Sequence, residues 1–202
     1  SLGVDLALSV NGKVNSGYSP WIKGALCPGD ALLMSRAIGS GVLFATAMHA
    51  ASHPKDLDAA LEEMAFSQHQ LLELLFDLRH ENTVSSPIHA CTDITGFGLL
   101  GHLGEMLSAS NQNRQEINLP LLQILLEAES IQPLKGSWEL FLSGYSSTLA
   151  PANRGALRLL NSNHNGHPQM KLSLGKLVNG SAAHNAILEL IVDPQTCGPL
   201  LV

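Results

Sequence analysis

Residues 88 to 101, Ile-His-Ala-Cys-Thr-Asp-Ile-Thr-Gly-Phe-Gly-Leu-Leu-Gly, bring one carboxylate, two threonine hydroxyls and three glycines into a short stretch. A β-prone run, Ile88 to Cys91, enters a polar, glycine-rich turn that opens into an amphipathic helix near Leu99. Glycines let a backbone approach a ligand with its N–H groups exposed. A helix start adds partial positive charge, so this layout suits a phosphate. Asp93 offers the hard carboxylate oxygen that Mg²⁺ prefers. The same residues also have a purely structural use, because an Asp in a Thr-Asp-x-Thr-Gly turn ahead of a helix serves as an N-cap or Asx-turn residue.

The run from Thr92 to Leu103 resembles the signature of selenophosphate synthetases (selenide, water dikinases), in which the matching aspartate binds Mg²⁺ beside ATP. Two distant stretches strengthen the likeness. Asp193-Pro194-Gln195-Thr196-Cys197-Gly198-Pro199-Leu200-Leu201 is similar to that family's Asp-Pro-Gln-Thr-Ser-Gly-Gly-Leu-Leu run. Ser35-Arg36-Ala37-Ile38-Gly39-Ser40-Gly41-Val42-Leu43 is similar to its Thr-Lys-Pro-Leu-Gly-Thr-Gly-Val-Leu run. Ser1 to Gly12 resembles the family's interdomain link, and the run from Ser147 to Arg154 matches as well.

The resemblance implies an α+β fold, with helices packed against a mixed β-sheet as in the C-terminal domain of aminoimidazole ribonucleotide synthetase-like enzymes. Residues 1–20 would hold the interdomain link and first strand region, and 21–202 the C-terminal domain, stopping at or just past the Asp-Pro-Gln-Thr motif. The implied reaction converts selenide, ATP and water to selenophosphate, AMP and phosphate. ATP and Mg²⁺ are the implied cofactors, ATP and selenide the substrates. The implied partner is an N-terminal ATP-binding domain of the same protein, which is a homodimer when complete. Asp93 is then the metal ligand, and Thr92, Thr95, Gly96 and Gly98 shape the loop that meets the nucleotide. No catalytic residue is assigned to this chain. The family's reactive Cys or selenocysteine and its Lys lie in a glycine-rich segment of the N-terminal domain with no counterpart here, so the isolated chain is expected to be inactive. Two alternatives are another ATP-using member of the superfamily, of the thiamine monophosphate kinase or aminoimidazole ribonucleotide synthetase type, and a non-catalytic regulatory or interaction domain.

The chain departs from the family at Arg36 for Lys, Ala37 for Pro, Cys197 for Ser and Pro199 for the second Gly. Arg36 replaces a point charge with a planar fork. Pro199 removes an N–H and fixes φ.

The elements that must position these residues sit in a chain of 202 residues, 45% hydrophobic, with 17 acidic against 11 basic residues. That size and apolar content suit a packed core. The acidic balance, without a Lys/Arg cluster, argues against nucleic acid. Apolar runs are too short to span a bilayer, and Ser1 to Asp5 has no signal-peptide pattern. Three cysteines without CxxC spacing indicate reduced thiols in a cytoplasmic protein, each expected to be a small buried hydrophobe. Nine histidines include the pairs His49/His53 and His164/His167, but no second ligand pair at zinc-like spacing, so structural zinc is not expected. His102, one turn into the helix, suits packing beneath the loop or a contact to substrate. Asn153 and Arg154 offer a neutral donor and a charged fork that suit phosphates, or an inert surface pair.

Periodicity and turn residues predict strands at Leu6–Val10 and Ala31–Ser35, the second after the turn Pro28-Gly29-Asp30. Gly39-Ser40-Gly41 leads into a helix from Val42 to Ser52, as a phosphate cradle or a close strand-to-helix turn. One long amphipathic helix is predicted over 57–79. After the helix near Leu99, which runs to about Ser108, come a polar loop at Asn111–Gln115 and a helix at Leu119–Glu129. Helical character is predicted between Gly136 and Ser147, with Pro151 interrupting it. A surface loop follows at Asn161–His167, then a helix at Ala182–Leu188 and a strand at Leu190–Val192. Asp193 precedes a proline and is expected to cap a turn or position Thr196.

Overall fold

The polar turn at Asp93 is held by strands only two to four residues long, so its position depends on what packs behind them. The computed structural model describes residues 8–9, 11–14, 19–81, 87–161, 169–175 and 180–202. Among them are seven α-helices and four short strands in an α+β arrangement. Strand β1 (Thr92–Asp93) pairs antiparallel with β4 (Leu200–Leu201), Thr92 opposite Leu201 and Asp93 opposite Leu200. Residues 33–35 extend this pair: the Leu33 N–H donates to the Val202 carbonyl at 2.8 Å, and the Ser35 N–H to the Leu200 carbonyl at 2.9 Å. On the other flank Ala90 bridges Ile22 in parallel. A separate parallel pair joins β2 (Ile124–Glu127) to β3 (Met170–Ser173).

The helices are α1 (Ser40–Ala47), α2 (Pro54–Ala65), α3 (His69–Glu81), α4 (Gly98–Glu116), α5 (Ser137–Leu142), α6 (Ala150–Asn153) and α7 (Ser181–Val192). Leu99, Leu100, Leu103, Met106 and Leu107 of α4 are buried in one core with Ile187, Leu190 and Ile191 of α7. Each such side chain contributes roughly 1.5–3 kcal/mol on burial. The α4–α7 seam therefore anchors both the Asp93 loop, which enters α4, and the Asp193 loop, which leaves α7.

Several elements differ from the sequence reading. The predicted helix over 57–79 is two helices, broken where Phe66 turns extended (ψ 121°). The Arg36 guanidinium there donates to the carbonyls of Glu63 at 3.1 Å and Phe66 at 3.0 Å, ending α2, while the Ser67 hydroxyl accepts the His69 N–H at the start of α3. Asn111–Gln115 is not a loop but the end of α4. Its polar side chains work outward: Asn111 both donates to the Leu122 carbonyl and accepts the Leu122 N–H. The predicted helix at Leu119–Glu129 contains β2 instead. Ile124 and Leu126 are buried while Leu125 and Glu127 are exposed, an alternation too short to stand out in an apolar run. Leu190–Val192 is the last turn of α7, buried against α4 rather than a strand. Pro151 lies in the first turn of α6 and starts a helix there. Cys27 and Cys197 are exposed and Cys91 is half-buried, so the cysteines are not buried hydrophobes. Cys27 opens a turn, and Cys197 sits in a loop with φ 49°. Leu6, Ala7 and Val10 of the expected Leu6–Val10 strand and most of the 161–167 loop lie outside the described residues, and Leu8 and Ser9 are not in a strand.

Candidate functional site

At β1 the strand alternation buries Thr92 and leaves Asp93 exposed. The Thr92 hydroxyl donates to the Asp93 carbonyl at 3.2 Å. Ile94, fully buried, donates its N–H to the Pro199 carbonyl at 2.9 Å. Pro199 thus serves this loop through its carbonyl, which the missing amide does not affect.

Three braces hold the loop between β1 and α4. The Thr95 N–H donates to His102 Nε2 at 3.0 Å. The Thr95 carbonyl accepts the N–H groups of Gly98 and Gln195, both at 3.0 Å. Asn153 Nδ2 donates to the carbonyls of Gly96 at 2.8 Å and Val192 at 3.0 Å. Gly98 is buried with φ +69°, and a Cβ there would lie 2.8 Å from the Val192 carbonyl, so only glycine fits without strain. Helix α4 starts at Gly98 with Phe97 as N-cap and no side-chain cap, so Asp93 does not cap it. Among the described residues the Asp93 carboxylate forms no hydrogen bond or ion pair, and the N–H groups of Gly96 and Phe97 are likewise unused. An exposed carboxylate and the two amides of exposed residues Gly96 and Phe97 therefore share one braced loop. Burial, and then the adjacent Asp93 charge, push the Cys91 thiol up, which keeps it protonated beside the site.

His102 is the post beneath this loop. It is buried, and because Nε2 accepts the Thr95 N–H, its ring proton belongs on Nδ1. Nδ1 faces Glu105 Oε2 at 3.3 Å, close enough for electrostatic attraction although not a well-directed hydrogen bond. Lys23 holds Glu105 at 2.6 Å. That hydrogen bond is the main cause that draws the Glu105 carboxyl below its ordinary range, against a smaller burial effect. Arg154 makes a two-point ion pair with Glu189 at 2.7 and 3.0 Å. The structure thus gives both members of the Asn153-Arg154 pair protein partners.

The second glycine turn is occupied by the protein itself. Asp193 Oδ2 accepts the N–H groups of Gly41 at 2.9 Å and Val42 at 3.3 Å, and Gln195 Nε2 at 3.0 Å. Gln195 Oε1 accepts the N–H groups of Gly39 at 2.9 Å and Ser40 at 3.2 Å. The Ser40 hydroxyl in turn accepts the Thr196 N–H at 2.9 Å. A Cβ on Gly41 would come within 2.5 Å of the Pro194 carbonyl. The start of α1 is therefore a close turn capped by the Asp-Pro-Gln-Thr motif, with Asp193 in the capping role. Asp193 is fully buried, and desolvation pushes its pKa up to about 7. The Val42, Gln195 and Gly41 donors pull the other way. Its Oδ1 has no well-formed hydrogen bond, although the Ser147 hydroxyl is near enough to favour the charge slightly.

Thr92, Asp93, Thr95, Gly96 and Gly98 thus sit on one short segment, with Asp93 and Gly96 exposed and Thr92 and Gly98 buried as its supports. Sequence reasoning missed Asn153 and Gln195 as braces, because only the fold brings them to the loop. Residues 27–158 match the family described as AIR synthase related protein, C-terminal domain. The chain is 30% identical over 175 residues to a selenide, water dikinase of Treponema denticola, covering 86% of this chain and 39% of that protein. It is 28% identical over 195 residues to a selenide, water dikinase of Desulfitobacterium hafniense, covering 96% and 46%. A Nitrosomonas eutropha selenide, water dikinase is 38% identical over 104 residues, covering 52% and 28%. The chain spans less than half the length of these relatives.

Proposed function

The chain belongs to the AIR synthase related protein family, C-terminal domain, and from that premise we propose that it is the C-terminal domain, residues 21–202, of an ATP-dependent selenophosphate synthetase. In this reading it contributes one wall of a Mg-ATP site whose other wall is an N-terminal ATP-binding domain of the same protein, a homodimer when complete. Selenide and ATP are the substrates. The observation that carries the reading is the Asp93 carboxylate, exposed at the end of β1 and without a partner among the described residues, in the same loop as the N–H groups of Gly96 and Phe97, which have none there either.

The donor chemistry fits the proposed ion. Mg²⁺ takes hard oxygen ligands and binds through one or two carboxylates plus substrate phosphates, so a single free carboxylate is a sufficient share from this domain. When bound, Mg²⁺ supplies charge neutralisation at the phosphates during phosphoryl transfer. The chain's own part is positional. Asp93 holds the cation, and Gly96 offers backbone N–H to phosphate oxygen. Thr92 and Gly98 set the loop in place, and Thr95 ties it to His102. No group of this chain is assigned to proton transfer or nucleophilic attack.

Asp93→Asn in the complete protein tests this. Loss of the charge is expected to reduce selenide-dependent AMP formation by roughly 10²-fold, about 3 kcal/mol of transition-state stabilisation, with the melting temperature unchanged. Near-native turnover in the Asn variant would sink the metal assignment.

A further inference from the structure

A second constellation lies away from the nucleotide loop. Cys27, Asp30 and His89 bring one thiol, one carboxylate oxygen and one ring nitrogen within 4.8 Å of one another. All three residues are exposed. His89 Nδ1 is 2.9 Å from Asp30 Oδ1. Because His89 lies 59 positions after Asp30, no spacing in the sequence announces the group.

The backbone beneath it is built before any ligand arrives. Cys27-Pro28-Gly29-Asp30 has the pattern of a type II turn, with Pro at its second position and Gly29 at φ +91°. The Asp30 N–H donates to the Cys27 carbonyl at 3.2 Å, and Asp30 Oδ2 accepts the Cys27 N–H at 2.8 Å. One carboxylate oxygen therefore locks the turn while Oδ1 stays with His89. The histidine is fixed from the other side, because Ala90 bridges Ile22 and the Cys91 N–H donates to the Ile22 carbonyl at 3.1 Å. Among the described residues the Cys27 thiol makes only a long contact, 3.7 Å, to the Ala25 carbonyl.

We propose that Cys27, Asp30 and His89 form a three-ligand site for a divalent transition ion of the Zn²⁺ class, with the fourth position open to water. Sulfur, imidazole nitrogen and carboxylate oxygen are the donors that Zn²⁺ accepts in tetrahedral geometry at about 2.0–2.3 Å. A side-chain shift on the order of 1 Å brings the three atoms to those distances. The thiol releases its proton on binding, so thiolate and carboxylate together neutralise the ion's charge. A soft thiolate also discriminates against Mg²⁺. His89 lies four positions before Asp93, on the order of 13 Å of extended chain, so this site is distinct from the proposed Mg-ATP loop and does not depend on it.

The test is titration of the reduced, metal-free chain with Co²⁺ without oxygen. The expected result is a thiolate-to-cobalt charge-transfer band with visible bands of tetrahedral intensity, reversed by one equivalent of Zn²⁺ and unaffected by excess Mg²⁺. Cys27→Ser should abolish the charge-transfer band. His89→Ala should weaken Co²⁺ binding by roughly 10-fold or more, since even groups that only orient a ligand cost that much. Asp30→Asn keeps an acceptor for the Cys27 N–H, so with unchanged circular dichroism it should also lose affinity. Absence of the band in the parent chain, or its survival in Cys27→Ser, would overturn the proposal.

Discussion

Replacing Asp193 by Asn separates two roles of one buried carboxyl group, helix capping and charge. The carboxyl is fully buried, and its pKa is about 7 in the folded chain against an ordinary 3.8. A folded-state pKa raised above the unfolded value means that the native state holds the proton more tightly. The stability this group supplies is then fully present below about pH 4 and lost as pH rises to about 7. At 1.36 kcal/mol per pKa unit the loss is about 4 kcal/mol, a large share of a typical domain's 5–15 kcal/mol. Asn has the same shape and can accept the Gly41 and Val42 N–H groups, but carries no charge at any pH. Its amide would occupy the place of Oδ1, which has no well-formed hydrogen bond now, at a cost of about 1 kcal/mol. Urea unfolding of both proteins from pH 4 to pH 8 measures the difference and cancels the other titrating groups, Glu105 included. The Asn variant is expected to be slightly less stable at pH 4 and to gain about 4 kcal/mol relative to the parent by pH 8. Parallel pH profiles would refute the raised pKa. An Asn variant markedly weaker at pH 8 would mean that the charge at the start of α1 outweighs its desolvation.

Two further substitutions probe the supports of the Asp93 loop. Gly98→Ala puts a Cβ 2.8 Å from the Val192 carbonyl at a φ of +69°, and thermal unfolding should reveal a loss of about 2–4 kcal/mol; an unchanged melting temperature would contradict the close packing of the two loops. Arg154→Ala removes a partly exposed ion pair with Glu189, so its expected cost is below about 1 kcal/mol, and a larger loss in the same measurement would mean that the pair also positions Asn153.

Local signals in the chain foretold local structure. The start of α4 was legible because the glycine-rich turn and the apolar periodicity that follows are contiguous, whereas α1 was legible in place but not in extent, since the helix expected over Val42–Ser52 covers Ser40–Ala47. The boundary between α2 and α3 was not, since leucines recur across it at helical spacing and the break depends on Arg36 reaching carbonyls about thirty residues away. Likewise β2 has only four residues, and its strand character comes from pairing with β3 rather than from its own pattern. Asn111 shows how a polar residue that reads as loop can remain helical when a distant backbone satisfies its side chain.

The candidate site illustrates the same limit more sharply. Gly39-Ser40-Gly41 and Thr95-Gly96-Phe97-Gly98 look alike as sequences, each a glycine turn ahead of a helix, and a helix start attracts an anion whatever its source. Tertiary structure separates them. At α1 the acceptors are internal: Asp193 and Gln195, more than 150 residues away, accept the free N–H groups, and no room remains beside Gly41 for anything larger. At α4 no side chain caps the helix, the Gly96 and Phe97 N–H groups have no partner among the described residues, and the carboxylate at hand, Asp93, is exposed. Asp193 and Gln195 support that second loop as well, since the Gln195 N–H holds the Thr95 carbonyl and the backbone after Val192 packs against Gly98. The Asp-Pro-Gln-Thr motif therefore closes one helix start and braces the other, which accounts for two motifs so far apart in sequence and leaves α4 as the helix start whose preceding amides have no partner among the described residues.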